Sequence, residues 1–188
     1  VLMSVFANFV AFDLETTGLE VDKNEIIEVA GVRFTLELKD GNIVTKNIAN
    51  FESLVRPNMR IPADATAVNN ITNEMVESAP NIGEVLKNFA QFCGISTILV
   101  AHNAEFDARF LAASLKKTSL MAIKNPILDS LKVSRKIMPE SPNHKLVTLA
   151  KRLRRQINVT FDETALHRAL YDCEVLREVF IAILRKRL

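Results

Sequence analysis

The sequence predicts an α/β domain built on a mixed β-sheet flanked by helices. Short apolar runs bounded by turn residues fill the first third of the chain. Apolar positions at helical spacing dominate the remainder, and one strand–helix unit links the two regimes. Strands first and a strand–helix unit afterwards is the order expected of such a sheet.

Residues 8–14 form a first apolar run that ends in acid, and Thr16-Thr17-Gly18 supplies turn chemistry after it. A second strand spans residues 25–36, with Ile26, Ile27, Val29, Val32 and Phe34. Asp40-Gly41 marks a hairpin-like turn, and a third strand over residues 47–55 stops before Pro57. Asn81 with Glu84 has the spacing of a capping box, followed by Ile82, Val85, Leu86, Phe89, Ala90 and Cys93 at helical intervals. Ile98–Ala101 reads as a short strand. Asn103 is placed to cap a helix carrying Phe106, Phe110 and Leu111. Leu146, Leu149, Ala150 and Leu153 mark a further helix, and Ala169, Cys173, Leu176, Phe180, Ile183 and Leu184 the last.

The 188 residues fit one domain, residues 1–188, and 48% hydrophobic content is enough for a real core. Net charge is +2, which neither requires nor excludes nucleic acid. Residues 145–188 are more basic, with ten Lys/Arg against five Asp/Glu; a solvated helix face is the plainer reading and a phosphate track the alternative. The two cysteines, Cys93 and Cys173, form no C-x-x-C pair and no disulfide framework, which points to a reducing, cytoplasmic setting. The apolar start lacks a basic flank and is not read as a signal peptide. No run reaches the ~18 apolar residues of a membrane span, so no membrane partner is expected.

Three clusters bear chemistry. In Phe12-Asp13-Leu14-Glu15-Thr16-Thr17-Gly18-Leu19, strand alternation turns Asp13 and Glu15 to one face. Two close carboxylates repel unless a cation sits between them, and hard oxygen ligands suit Mg²⁺ or Mn²⁺. In His102-Asn103-Ala104-Glu105-Phe106-Asp107, an acid lies one turn into a helix that follows a strand. In His167-Arg168-Ala169-Leu170-Tyr171-Asp172, five residues of ideal helix turn through about 140°. His167 and Asp172 can therefore share a site only if His167 lies before the helix. Each cluster alone has a plainer reading: solvated strand-end acids, a first-turn carboxylate favoured by the helix dipole, a capping histidine.

Together and in this order, the clusters resemble the DEDDh branch of the DnaQ-like 3′–5′ exonucleases, in particular the proofreading epsilon subunit and exonuclease domain of bacterial DNA polymerase III. The resemblance spans roughly residues 8–184. It rests on Phe-Asp-Leu-Glu-Thr-Thr-Gly-Leu, His-Asn-Ala-x-Phe-Asp and His-Arg-Ala-Leu-x-Asp, with support from Ile26-Ile27-Glu28-Val29-Ala30 and Leu128-Asp129-Ser130-Leu131.

The resemblance implies a ribonuclease H-like mixed sheet flanked by helices. It implies Asp13, Glu15, Asp107 and Asp172 as ligands of two divalent cations, Mg²⁺ or Mn²⁺, with Asp13 bridging both and His167 as general base. Backbone around Thr16 and Thr17 would reach the terminal 3′ hydroxyl, Leu19 would press on the terminal base, and His102 and Phe106 would line the pocket. Core packing is the plainer reading for Leu19 and Phe106. His144 is read as helix-start structure. The expected reaction is metal-dependent release of nucleoside 5′-monophosphates from single-stranded or frayed DNA 3′ ends, as in replication proofreading, with a DNA polymerase subunit as a partner.

One departure stands out. Where family members often carry His-Gly-Ile-Thr, this chain has Asn69-Asn70-Ile71-Thr72. Asparagine tolerates left-handed backbone, so the turn is expected to survive while a nucleotide contact changes. The polymerase-binding tail of the epsilon subunit has no counterpart here. Residues 156–161 faintly resemble a sliding-clamp-binding peptide, but lie inside the domain. The rival readings are a 3′–5′ exoribonuclease of the oligoribonuclease or ribonuclease T type, and a non-catalytic single-strand-binding module.

Overall fold

A computed structural model describes residues 5–120 and 123–187. Five strands form one mixed sheet in the order β3-β2-β1-β4-β5. β1 (Val5–Thr16), β2 (Ile26–Lys39) and β3 (Asn42–Leu54) are antiparallel neighbours, and β4 (Ile98–Ala101) and β5 (Ile127–Asp129) run parallel to β1. The α/β mixed sheet read from the sequence is correct. β2 and β3 run beyond the predicted strands because Asp40 and Gly41, at φ 50° and 78°, close a tight hairpin that extends both arms, and β1 is longer as well, pairing with β2 from Val5 onward.

Alternation along β1 sorts its side chains into two layers. Val10, Phe12 and Leu14 pack with Val85, Leu86 and Phe89 of α3 (Ile82–Cys93) and Phe110 and Leu111 of α4 (Glu105–Lys117). Phe9 and Ala11 pack on the other face with Leu176, Phe180 and Ile181 of α7 (Ala169–Arg185). The Phe9 ring stacks on Phe34 and meets Phe180 edge-on, at centroid distances of 5.5 and 5.6 Å. An outer layer, α5 (Ser130–Ile137) and α6 (Leu146–Leu153), packs on α7. Ile157, Val159 and Phe161 pack into that layer, so the stretch that faintly resembles a clamp-binding peptide spends its apolar side chains on the core.

Two short helices, α1 (Ala63–Asn69) and α2 (Asn73–Val76), and helix α5 lay outside the sequence prediction. Asn81 caps α3 through Glu84 N–H at 3.0 Å, as its spacing suggested. Asn103 does not cap α4: it adopts φ 66°, and the cap position is Ala104, which has no side-chain acceptor. Among the described residues, no helix is long and apolar enough to cross a membrane.

Candidate active site

Asp13 and Glu15 continue the β1 row begun by Phe9 and Ala11. The apolar part of that row is sealed by α7, and its acidic end opens into a cleft of about 660 Å³. Asp107 enters the same cleft from the first turn of α4, and Asp172 from the first turn of α7. His167 precedes α7 on a bend with φ 64°, as the 140° argument required, and its backbone N–H donates to Asp172 Oδ2 at 3.0 Å. The His167 side chain is exposed at the cleft, where ligand atoms of Glu15, His167 and Asp172 lie within 4.8 Å of one another. The structure thus brings all five predicted residues to one cleft.

The electrostatics of this cluster are unfavourable without a cation. Burial holds Asp13 well above the carboxylate range, and Asp107, Glu15 and Asp172 push it further. Burial, then the charges of Asp172 and Glu28, raises Glu15 to about 8. Burial raises Asp107 against hydrogen bonds from backbone amides, and raises Asp172 to about 6 against the His167 amide. Among the described residues, Asp172 Oδ1 is buried with no hydrogen-bond partner. An orphaned carboxylate oxygen among acids that resist ionising together fits a divalent cation with hard oxygen ligands.

A stability prediction follows. A carboxyl whose pKa is higher folded than unfolded stabilises the fold below its unfolded value and loses that contribution as pH rises through the folded value. For Glu15 this window runs from 4.5 to about 8. His102 is lowered by burial and acts in the opposite sense at lower pH, so the clean interval begins near its ordinary value of about 6.5. The metal-free protein is expected to lose roughly 5 °C in Tm between pH 6.5 and 8.5, and saturating Mg²⁺ to restore most of it. A level metal-free Tm across that interval would contradict the described carboxylate packing.

The walls of the cleft agree with the sequence in part. Leu19 is 84% exposed and lines the cleft, so it is not a core residue. Phe106 does both jobs: it packs on the core cluster, with the Phe110 ring 4.9 Å away, and it lines the cleft. Thr16 and Thr17 line the cleft and also shape the turn. Thr16 Oγ1 donates to Gly18 O at 2.7 Å, Thr17 Oγ1 accepts from Glu25 N, and Thr17 N–H is already bonded to Glu25 O at 2.9 Å. A Cβ at Gly18 would lie 2.7 Å from the Asn24 carboxamide, so a larger residue there would displace the Asn24 side chain, whose Oδ1 accepts from Glu20 N–H.

His102 also lines the cleft, but both ring nitrogens are engaged within the protein. Nε2 lies 2.7 Å from His144 O, a carbonyl that can only accept, so Nε2 carries the proton. Nδ1 then accepts from the buried Ser130 hydroxyl at 2.8 Å. His144 pairs its own Nδ1 with Ser134 at 3.0 Å, consistent with a structural part at the start of α6.

Sequence reasoning missed α1 and the wall it supplies: Pro62, Asp64, Ala65 and Val68 line the cleft beside Asn69, whose position the sequence had already tied to nucleotide contact. Pro62 ahead of Ala63 and Asp64 is a helix-start signal that could have revealed it. Asn69 is 2% exposed; its amide donates to Thr16 O at 3.3 Å and its Oδ1 accepts from Ile71 N at 3.0 Å. Asn70 takes the left-handed conformation, φ 58°, so the turn survives the loss of glycine.

A family profile described as "Exonuclease" matches residues 10–180. The chain belongs to the exonuclease family. It is 38% identical over 186 residues to a PolC-type DNA polymerase III of Caldanaerobacter subterraneus subsp. tengcongensis, covering 97% of this chain and 12% of the relative. It is 36% identical over 178 residues to the PolC-type DNA polymerase III of Bacillus subtilis (strain 168), covering 94% and 11%. The chain thus spans about a ninth of the length of these relatives. Exonuclease X, solved in complex with 5′ overhanging duplex DNA, superposes with a TM-score of 0.67 at 31% identity over 94% of this chain and 90% of that one. An exonuclease I structure shares the fold, with a TM-score of 0.71 at 17% identity, over 96% and 40%. The domain thus carries the exonuclease-family sequence, from a family that is metal-dependent, on a ribonuclease H-like fold.

Proposed function

We propose that this domain, residues 1–188, removes nucleoside 5′-monophosphates from single-stranded or frayed DNA 3′ ends. The observation that carries the reading is the convergence of four carboxylates with raised or orphaned acid groups and one exposed imidazole on a cleft with an apolar rim. Asp13, Glu15, Asp107 and Asp172 would hold two divalent cations, Mg²⁺ or Mn²⁺. When bound, such ions supply Lewis-acid stabilisation of charge on both sides of an in-line displacement.

The chain's own groups do the rest. An imidazole nitrogen of His167 accepts the proton of the attacking water as it approaches the terminal phosphorus. Its exposure lets it exchange that proton with solvent. Leu19 and Val68, 84% and 55% exposed, bracket the terminal base with apolar surface, and Phe106 offers a ring face to sugar or base. His102 supports the wall through Ser130 and His144. DNA is favoured over RNA on the DNA polymerase relatives, which also make proofreading beside a polymerase subunit the natural setting. The two free, buried cysteines accord with a reducing cytoplasm.

The test is incubation with 5′-labelled single-stranded DNA and matching RNA, with Mg²⁺, with Mn²⁺ and with EDTA. Stepwise shortening from the 3′ end is expected with either metal, none with EDTA, and faster on DNA. Faster loss of RNA would transfer the assignment to the exoribonuclease type. Metal-independent strand binding without shortening would leave a binding module.

A further inference from the structure

We infer that Glu28 and Arg168 form a clamp that holds His167 in place at the cleft, making both of them positioning residues for the proton-accepting imidazole. The inference rests on the role proposed for His167.

α7 begins without help from its own sequence. Arg168 occupies the cap position and offers no side-chain cap, so the first amides of the helix need an acceptor from elsewhere. Glu28 of β2 supplies it: Oε2 accepts from Ala169 N at 2.9 Å. The same carboxylate takes the Arg168 fork, with Nη2 at 2.8 Å and Nε at 3.2 Å from Oε1. Arg168 Nη2 also lies 3.6 Å from Glu52. Glu28 is fully buried, so its charge is tolerable only because these partners surround it.

As packing alone, this choice is poor. Glu28 sits directly across from Glu15 in the strand register, so it adds a buried negative charge beside a cluster already crowded with them. An apolar residue would fill that space without the repulsion. What an acid adds is a directional hold on two consecutive residues, Arg168 and Ala169.

The residue immediately before them is His167. Its φ of 64° is unusual for a residue with a Cβ and persists only where the surroundings impose it. Two constraints impose it here: its N–H on Asp172 Oδ2, and the clamp on the next two residues. Among the described residues, the His167 ring takes no hydrogen bond from the protein. Its direction is therefore set through the backbone, and the clamp is what fixes that backbone to the sheet bearing Asp13 and Glu15.

The test uses Arg168→Lys, which keeps the charge but loses the fork. It is expected to lower kcat on the order of 10²-fold, since displacement of a catalytic group by about an ångström costs that much, with KM within about twofold. Adding His167→Ala to Arg168→Lys should cost far less than His167→Ala costs the parent, because the two act through one group. Glu28→Gln should follow the same pattern. Arg177→Lys, in the Arg177–Glu178 pair further along α7, is the comparison for an ion pair that serves structure alone, with kcat unchanged. Amide hydrogen exchange should accelerate at His167 and Ala169 in Arg168→Lys while the β1–β2 amides keep their protection. Losses that multiply, or unchanged exchange at these two amides, would overturn the clamp. If the parental protein shortens no strand, the proposed function falls, and the exchange experiment still decides whether the clamp exists.

Discussion

Asp13→Ala is expected to abolish turnover, by at least about a thousandfold, while the metal-free fold is kept or slightly strengthened. The two halves of this expectation have one cause. Asp13 is the acid most surrounded by other acids: Asp107, Glu15, Asp172 and Glu28 all disfavour its ionisation, on top of burial. Removing it relieves repulsion in the metal-free protein. It also removes a carboxylate from the centre of the proposed cation site, where several kcal/mol of transition-state stabilisation are supplied and each ~1.4 kcal/mol is tenfold in rate. The measurement is kcat on labelled single-stranded DNA together with metal-free Tm at pH 8. Parental turnover in the variant would remove Asp13 from the site; a large drop in Tm would contradict the repulsion argument.

His167→Ala is expected to lower kcat by about 10²–10⁴-fold, the usual contribution of a positioned general base. Its pH dependence is the sharper test. A protonated imidazole cannot accept a proton, so activity of the parent should show a limb that rises with pH and depends on His167. With cation saturating, so that the four carboxylates stay ionised, the variant should lack this limb. A variant profile that keeps the parental limb would show that another group takes the proton. Metal affinity should change less than kcat, because Asp172 keeps its place on α7 whether or not the imidazole is present.

The sheet was legible because its strands obey local rules, whereas the five residues that meet in the cleft were assigned jointly, from the order of three motifs and the family they resemble. Period-two alternation put Asp13 and Glu15 on one face, and the mismatch between five residues and the helical repeat placed His167 ahead of α7. Leu19 could not be assigned from its sequence neighbourhood: an apolar residue after a turn is equally at home in a core or at a rim. α1 was missed because it is only seven residues long and rests on the cleft wall instead of carrying an apolar stripe of its own. His102 lines the cleft as expected, but the hydrogen bonds that hold it there were not legible. Its partners, Ser130 and His144, lie 28 and 42 residues away, beyond the reach of any local pattern.

What the sequence determined by itself is the chemistry on offer: the strand alternation, the acids, the imidazole and their order along the chain. These follow from properties confined to a few neighbouring residues. The tertiary structure decided which of those groups are spent on holding the protein together. Thr17 N–H went to Glu25, both nitrogens of His102 went to Ser130 and His144, and the start of α7 was tied to Glu28 on a strand 140 residues earlier. The physical reason is that a buried polar group must find a partner, and which partner it finds depends on how distant segments are brought together by packing.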